Sequence, residues 1–163
     1  MIWFELRRED LSFLDRAPVT FACEADVGSP PAAVFAALAD PGTWSGWFPG
    51  VQRAWYSSPP PHGVGTVREA RVGGTRWVEE LIAWDADRRW AYTVTCSSVP
   101  IAWAQVEVFE LERRGAATRV TWRIACEPRL PMRLGAPVAP RVIRGVFARA
   151  MENLGRHLSP GRS

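Results

Sequence analysis

The segment from Val138 to Leu158 constrains the fold more than any other stretch of the chain. Val138, Val142, Ile143, Val146, Phe147, Ala150, Met151, Leu154 and Leu158 recur mostly three and four residues apart, and Arg141, Arg144, Arg149, Glu152, Asn153 and Arg156 fall largely on the other side. That pattern makes one apolar stripe along a helix of about five turns. Pro140 is tolerated in the first turn, where backbone donors have no helical partner in any case. So long a helix needs a broad surface to lie on, and almost everything upstream of it reads as strand.

In chain order, residues 1–18 form a lead-in, with Leu11, Phe13 and Leu14 suited to one helical turn and Pro18 ending it. Val19–Val27 alternates apolar and polar residues, the mark of a strand with one buried face. A short helix then runs from Ser29 or Pro30 to Ala39, and a second contains Thr43 and Trp44. Six further strands are expected at Val51–Tyr56, Thr66–Val72, Arg76–Trp84, Trp90–Cys96, Trp103–Glu112 and Val120–Cys126. The turns between them include Gly73-Gly74 and Arg113-Arg114-Gly115. The expected architecture is α+β: a seven-stranded curved antiparallel sheet wrapped around a long C-terminal helix, with two short helices after the first strand. One domain spans 19–158, preceded by the extension 1–18 and followed by a disordered tail, 159–163.

With 163 residues the chain is long enough for one core of its own. Cys23, Cys96 and Cys126 are odd in number and far apart, which points to free thiols in a reducing compartment, and the expected location is cytoplasmic. No apolar run approaches the roughly 20 residues of a membrane span. All twenty basic residues are Arg. Nine of them, with fifteen acidic residues, precede Arg113; eleven, with two acidic residues, lie from Arg113 onward. A basic C-terminal third can serve as an interaction surface, but no nucleic-acid-binding motif accompanies it and nucleic acid is not the expected partner. A homodimer through an exposed sheet edge or the lead-in is compatible with the pattern.

Two separated histidines, His62 and His157, lack clustered carboxylates, so neither a metal nor another cofactor is expected. The polar residues of interest lie within strands: Glu69, Arg71, Glu79, Glu80, Gln105 and Glu107. Alternation sends Glu79 and Glu80 to opposite faces, so one of them points inward. With Tyr92 they are the candidates for acid–base chemistry. In the strand containing Trp103, Phe109 and Leu111 put odd residues inside, whereas Ala104, Val106 and Val108 favour the even ones, leaving Gln105 and Val106 as rivals for one position. The candidate cavity lining is Trp47, Phe48, Arg71, Trp77, Trp90, Tyr92, Trp103, Gln105, Trp122, Phe147 and Met151. Nine tryptophans and seven phenylalanines can fill a thick core or wall a pocket.

The order of elements, with Pro31-x-x-Val34-Phe35-x-x-Leu38-x-Asp40-Pro41-x-x-Trp44-x-x-Trp47, Gly63-Val64-Gly65-Thr66, Arg88-Arg89-Trp90-Ala91-Tyr92 and Thr118-Arg119-Val120-Thr121-Trp122, resembles the polyketide cyclase/dehydrase and lipid-transport superfamily. This superfamily is also called START-like, SRPBCC or helix-grip, and includes the birch-pollen allergen. The resemblance covers residues 19–158 and implies carriage of a small hydrophobic ligand, lipid or polyketide-like, between sheet and helix. Its alternatives are a cyclase/dehydratase-type enzyme using an inward Glu or Tyr, and an interaction module with a basic surface. No catalytic motif runs through the superfamily, so the resemblance assigns no catalytic residue.

Overall fold

The computed structural model describes residues 2–129 and 138–159. The predicted crossover between Pro128 and Pro140 and the predicted tail, 159–163, lie largely outside those residues. The strands are β1 (Phe4–Glu5), β2 (Val19–Val27), β3 (Val51–Tyr56), β4 (Val67–Val72), β5 (Thr75–Asp85), β6 (Arg89–Ser97), β7 (Ala102–Arg114) and β8 (Ala117–Pro128). They form one antiparallel sheet in the order β2-β8-β7-β6-β5-β4-β3, with β1 paired to β6. The seven expected strands are present; β1 is an addition, too short at two residues to show any periodicity.

Between β2 and β3 the chain crosses from one edge of the sheet to the other. The lead-in holds one turn, α1 (Phe13–Arg16), and the crossing runs along the concave side through α2 (Pro31–Ala39), a 3-10 turn (Pro41–Thr43) and α3 (Trp44–Trp47). The Asp40 side chain accepts from Gly42 N at 2.9 Å and so satisfies a donor at the start of the 3-10 turn. The C-terminal helix, α4 (Ala139–Leu158), buries Phe147, Ala150, Met151 and Leu154. It packs on β2 and α3, and Asn153 Nδ2 donates to Trp47 O at 3.1 Å. The β4–β5 hairpin turns on Gly73 and Gly74, at φ +54° and +83°, a left-handed pair that any side chain would strain.

The lead-in covers the convex face of the sheet. Phe13 packs with Ala104, Val106 and Ala125, while Leu11 and Leu14 lie against Ala83, Ala91 and Val108. Beyond the Thr93↔Val106 pair of the β6–β7 ladder, Leu6 N donates to Thr95 O at 2.9 Å and Arg7 N to Trp103 O at 2.8 Å. The start of the chain is therefore stitched between β6 and β7, with the Leu6 side chain buried in the main core. Cys23 and Cys126 are buried and Cys96 is half-buried, all three as free thiols. Among the described residues no helix is long and apolar enough to cross a membrane.

Candidate functional site

On the concave face, alternation along each strand decides what points inward. In β4 the buried residues are Arg68 and Ala70, with half-buried Val72 on the same side; Arg71 is exposed on the other face. The register places Arg68 directly opposite Glu79 on β5, and Tyr92 on β6 directly opposite Glu107 on β7. Facing residues of one sheet surface lie within side-chain contact distance. Five consecutive strands thus bring ionisable side chains and aromatic rings to one place.

They surround a cavity of about 150 Å³. Trp44, Phe48, Val51, Ala70, Val72 and Trp77 form its walls; Arg68, Glu79, Tyr92, Gln105, Glu107 and the Trp122 indole form its polar floor. Phe48, Val72 and Trp77 are half-buried whereas the floor residues are buried, which marks that rim as the mouth.

Arg68 is 1% exposed, a costly position for a guanidinium unless it is paired. Its Nη1 donates to Glu79 Oε2 at 2.8 Å, and its guanidinium carbon lies 4.0 Å from the centre of the Trp44 ring and within 6 Å of Trp90 and Tyr92. Arg68 Nε has no hydrogen-bond partner among the described residues. Both oxygens of Glu107 are satisfied: Gln105 Nε2 donates to Oε1 at 2.7 Å and Trp122 Nε1 to Oε2 at 2.9 Å, with Tyr92 its cross-strand neighbour. Among the described residues Glu79 has only the Arg68 bond, which leaves its second oxygen without a donor there.

These contacts set the proton affinities. Burial, opposed by Arg68 and reinforced by the Glu107 charge, pushes Glu79 up to about 7. Burial raises Glu107 as well, against the opposing effects of Tyr92, Gln105, Trp122 and Arg68. Tyr92 is held well above the usual phenol range by burial and then by the Glu107 and Glu79 charges, so it acts as a hydrogen-bond donor and not as a base. Among the described residues no three His, Cys, Asp or Glu side chains converge to hold a metal ion.

Of the residues singled out in the sequence, Phe48, Trp77, Tyr92, Gln105 and Trp122 line this cavity together with Glu79. Glu80 points the other way, to Arg8 at 3.0 Å. Two expectations are corrected outright. Arg71 is exposed on the convex side, and Trp103 is 52% exposed, its ring under the Arg129 guanidinium at 3.9 Å. Trp103 is turned out by the irregular register between Ala102 and Ala104. Trp47, Trp90, Phe147 and Met151 are buried but pack behind the lining as core, Phe147 stacked on Trp122 at 5.7 Å. Gln105, not Val106, faces inward; Val106 is buried too, beneath Phe13. Arg68 was missed, although its parity with Ala70 and Val72, opposite to that of Glu69 and Arg71, was the signal that separates it.

Residues 18–159 match the family model described as polyketide cyclase / dehydrase and lipid transport. An uncharacterised protein of Mycobacterium tuberculosis is 29% identical over 155 residues, which cover 94% of this chain and 93% of that one. Among solved structures, a START superfamily protein from Mycobacterium smegmatis aligns with a TM-score of 0.72 at 13% identity, covering 86% of this chain and 99% of its own. Ginseng major latex-like protein 151 from Panax ginseng aligns with a TM-score of 0.69 at 15% identity, covering 87% and 98%. At such identities the likeness speaks for the fold.

Proposed function

This chain belongs to the polyketide cyclase/dehydrase and lipid transport family, and from that premise we propose that it binds one small, ring-sized hydrophobic ligand in the cavity between its sheet and its helices. The observation that carries this reading is the cavity itself, left open among aromatic walls that could have been packed shut. Interiors normally hold few voids larger than a water molecule. Pockets for small molecules combine apolar walls with a few convergent polar groups, as here. A volume of about 150 Å³ is of the size that takes a single benzene ring. A fused polycyclic ligand would need the rim at Phe48, Val72 and Trp77 to open.

The test is a titration with benzyl alcohol, followed by the indole N–H resonances in NMR. Saturable shifts at Trp77 and Trp122 are expected, and Ala70→Leu, which fills the cavity, should abolish them. Absence of shifts, or shifts unchanged in Ala70→Leu, would remove the binding reading.

A second reading, acid–base catalysis on a bound polyketide-like substrate, is favoured by Glu79. A carboxyl raised to about 7 can both give and take a proton near neutrality, and it lies at the cavity floor. Turnover of a poly-β-ketone that survives Glu79→Gln would take Glu79 out of any such mechanism.

A further inference from the structure

The floor of the cavity does not balance in charge. Two buried carboxylates, Glu79 and Glu107, share one buried guanidinium, Arg68. The Glu107 charge disfavours ionisation of Glu79. Their hydrogen bonding divides them. Glu107 has both oxygens taken by protein donors, whereas Glu79, 5% exposed and lining the cavity, keeps one oxygen without a donor among the described residues. Arg68 keeps its Nε without a partner among the described residues, but its Nη1 is committed to Glu79, the Trp44 ring covers its guanidinium, and its single charge already faces two carboxylates.

Building on the binding reading above, we propose that the cavity selects an organic cation, a small amine carrying one apolar ring-sized body, over neutral or anionic molecules of the same shape. The ammonium would supply the missing positive charge and the missing donor to Glu79. The half-buried rings of Phe48 and Trp77 at the mouth would meet the apolar body. An anion would add a third negative charge to a desolvated floor that already holds one too many, which is strongly unfavourable in a low-dielectric site. In the free protein a proton on Glu79 restores the balance, so the ammonium and that proton compete for one place. The groups that face Glu79 are Arg68 from β4, Tyr92 from β6, Glu107 from β7 and the Tyr56 hydroxyl from β3. None but Arg68 is cationic.

The test compares benzylamine, benzyl alcohol and benzoate on the full chain by calorimetry and indole N–H shifts, at about pH 6 and about pH 8. Benzylamine should bind about tenfold or more tightly than benzyl alcohol at the higher pH, and benzoate more weakly than either. The advantage of the amine should shrink towards the lower pH, with proton release on binding seen as a buffer-dependent heat. In Glu79→Gln the ratio of amine to alcohol affinity should fall to about one. The wild-type pH series keeps the proposal testable if that variant folds poorly. Benzyl alcohol binding without any preference for the amine would overturn this inference and leave the binding reading intact. Benzoate binding best would overturn it in favour of the free Arg68 Nε as an anion anchor. No binding by any of the three would overturn both readings.

Discussion

On its concave face β7 presents Gln105, Glu107, Phe109 and Leu111; on its convex face it presents Ala104, Val106 and Val108. Both sets are buried, and they are buried in opposite ways. The convex set is small and aliphatic, so the lead-in lies close against it and Phe13, Leu11 and Leu14 complete the packing. The concave set is large and partly ionisable, and it meets Trp44, Trp77 and Trp122 around a space that remains open. One strand thus carries a filled hydrophobic layer on one side and a polar cavity on the other. Burial alone therefore does not mark a site; the site is where burial and unbalanced charge coincide.

The sharpest way to break that contrast is to remove the cation. Arg68→Leu should destabilise the fold by about 3–5 kcal/mol near pH 8, since it leaves two buried carboxylates without a countercharge. Part of the loss should return towards pH 5, where the carboxylates can take up protons. Urea unfolding at both pH values measures it. Equal stability of variant and wild type at pH 8 would mean that Arg68 does not hold the floor together.

Phe13→Ala tests the other face. Phe13 is 2% exposed, and its truncation should cost about 3 kcal/mol, at the lower end for buried aromatic residues because the segment is local. Hydrogen exchange at Leu6 and Arg7 should quicken as the lead-in loosens from β6 and β7. Benzyl alcohol binding should stay as in wild type. A change in ligand affinity comparable to that of Ala70→Leu would show that the two faces are coupled through β7.

The same contrast explains what could be read from the sequence and what could not. The stripe from Val138 to Leu158 and the turn at Gly73-Gly74 announced themselves, because one wet face makes periodicity visible and a two-residue glycine loop has few other uses. The phase of β7 did not, because the covering lead-in makes even residues as apolar as a core requires. Only Gln105 and Glu107, polar residues sharing parity with Phe109, hinted that the odd side was different. Arg71 and Trp103 face outward for different reasons: regular alternation puts Arg71 on the face opposite Ala70 and Val72, whereas the irregular register between Ala102 and Ala104 turns Trp103 out. For Trp47, Trp90, Phe147 and Met151 no local pattern separates a side chain that walls a void from one packed behind it. That distinction depends on how five strands and α3 converge.

Adjacent residues on β5 give the finest test, because Glu79 and Glu80 differ only in the face they occupy. Glu79 rises from an ordinary 4.5 to about 7 on folding, chiefly through burial, so the folded state binds more protons than the unfolded state between those values. Stability from this group is fully present below the unfolded value and is lost as pH rises through 7, the reverse of a carboxylate whose pKa is lowered by a salt bridge. At about 1.4 kcal/mol per pKa unit, the loss is about 3 kcal/mol. In Glu79→Gln that part of the pH dependence should vanish, and unfolding free energies at four or five pH values between 4 and 8 would show it. A slope unchanged by the substitution would assign the dependence to Glu107 instead. Glu80 pairs with an Arg8 side chain that is 69% exposed, at 3.0 Å. Glu80→Gln should therefore change stability by less than about 1 kcal/mol, and less still in high salt, since exposed pairs gain little and are screened. If Glu80→Gln proved as consequential as Glu79→Gln, the inward and outward assignments of β5 would have to be exchanged, and the cavity floor would lose its second carboxylate.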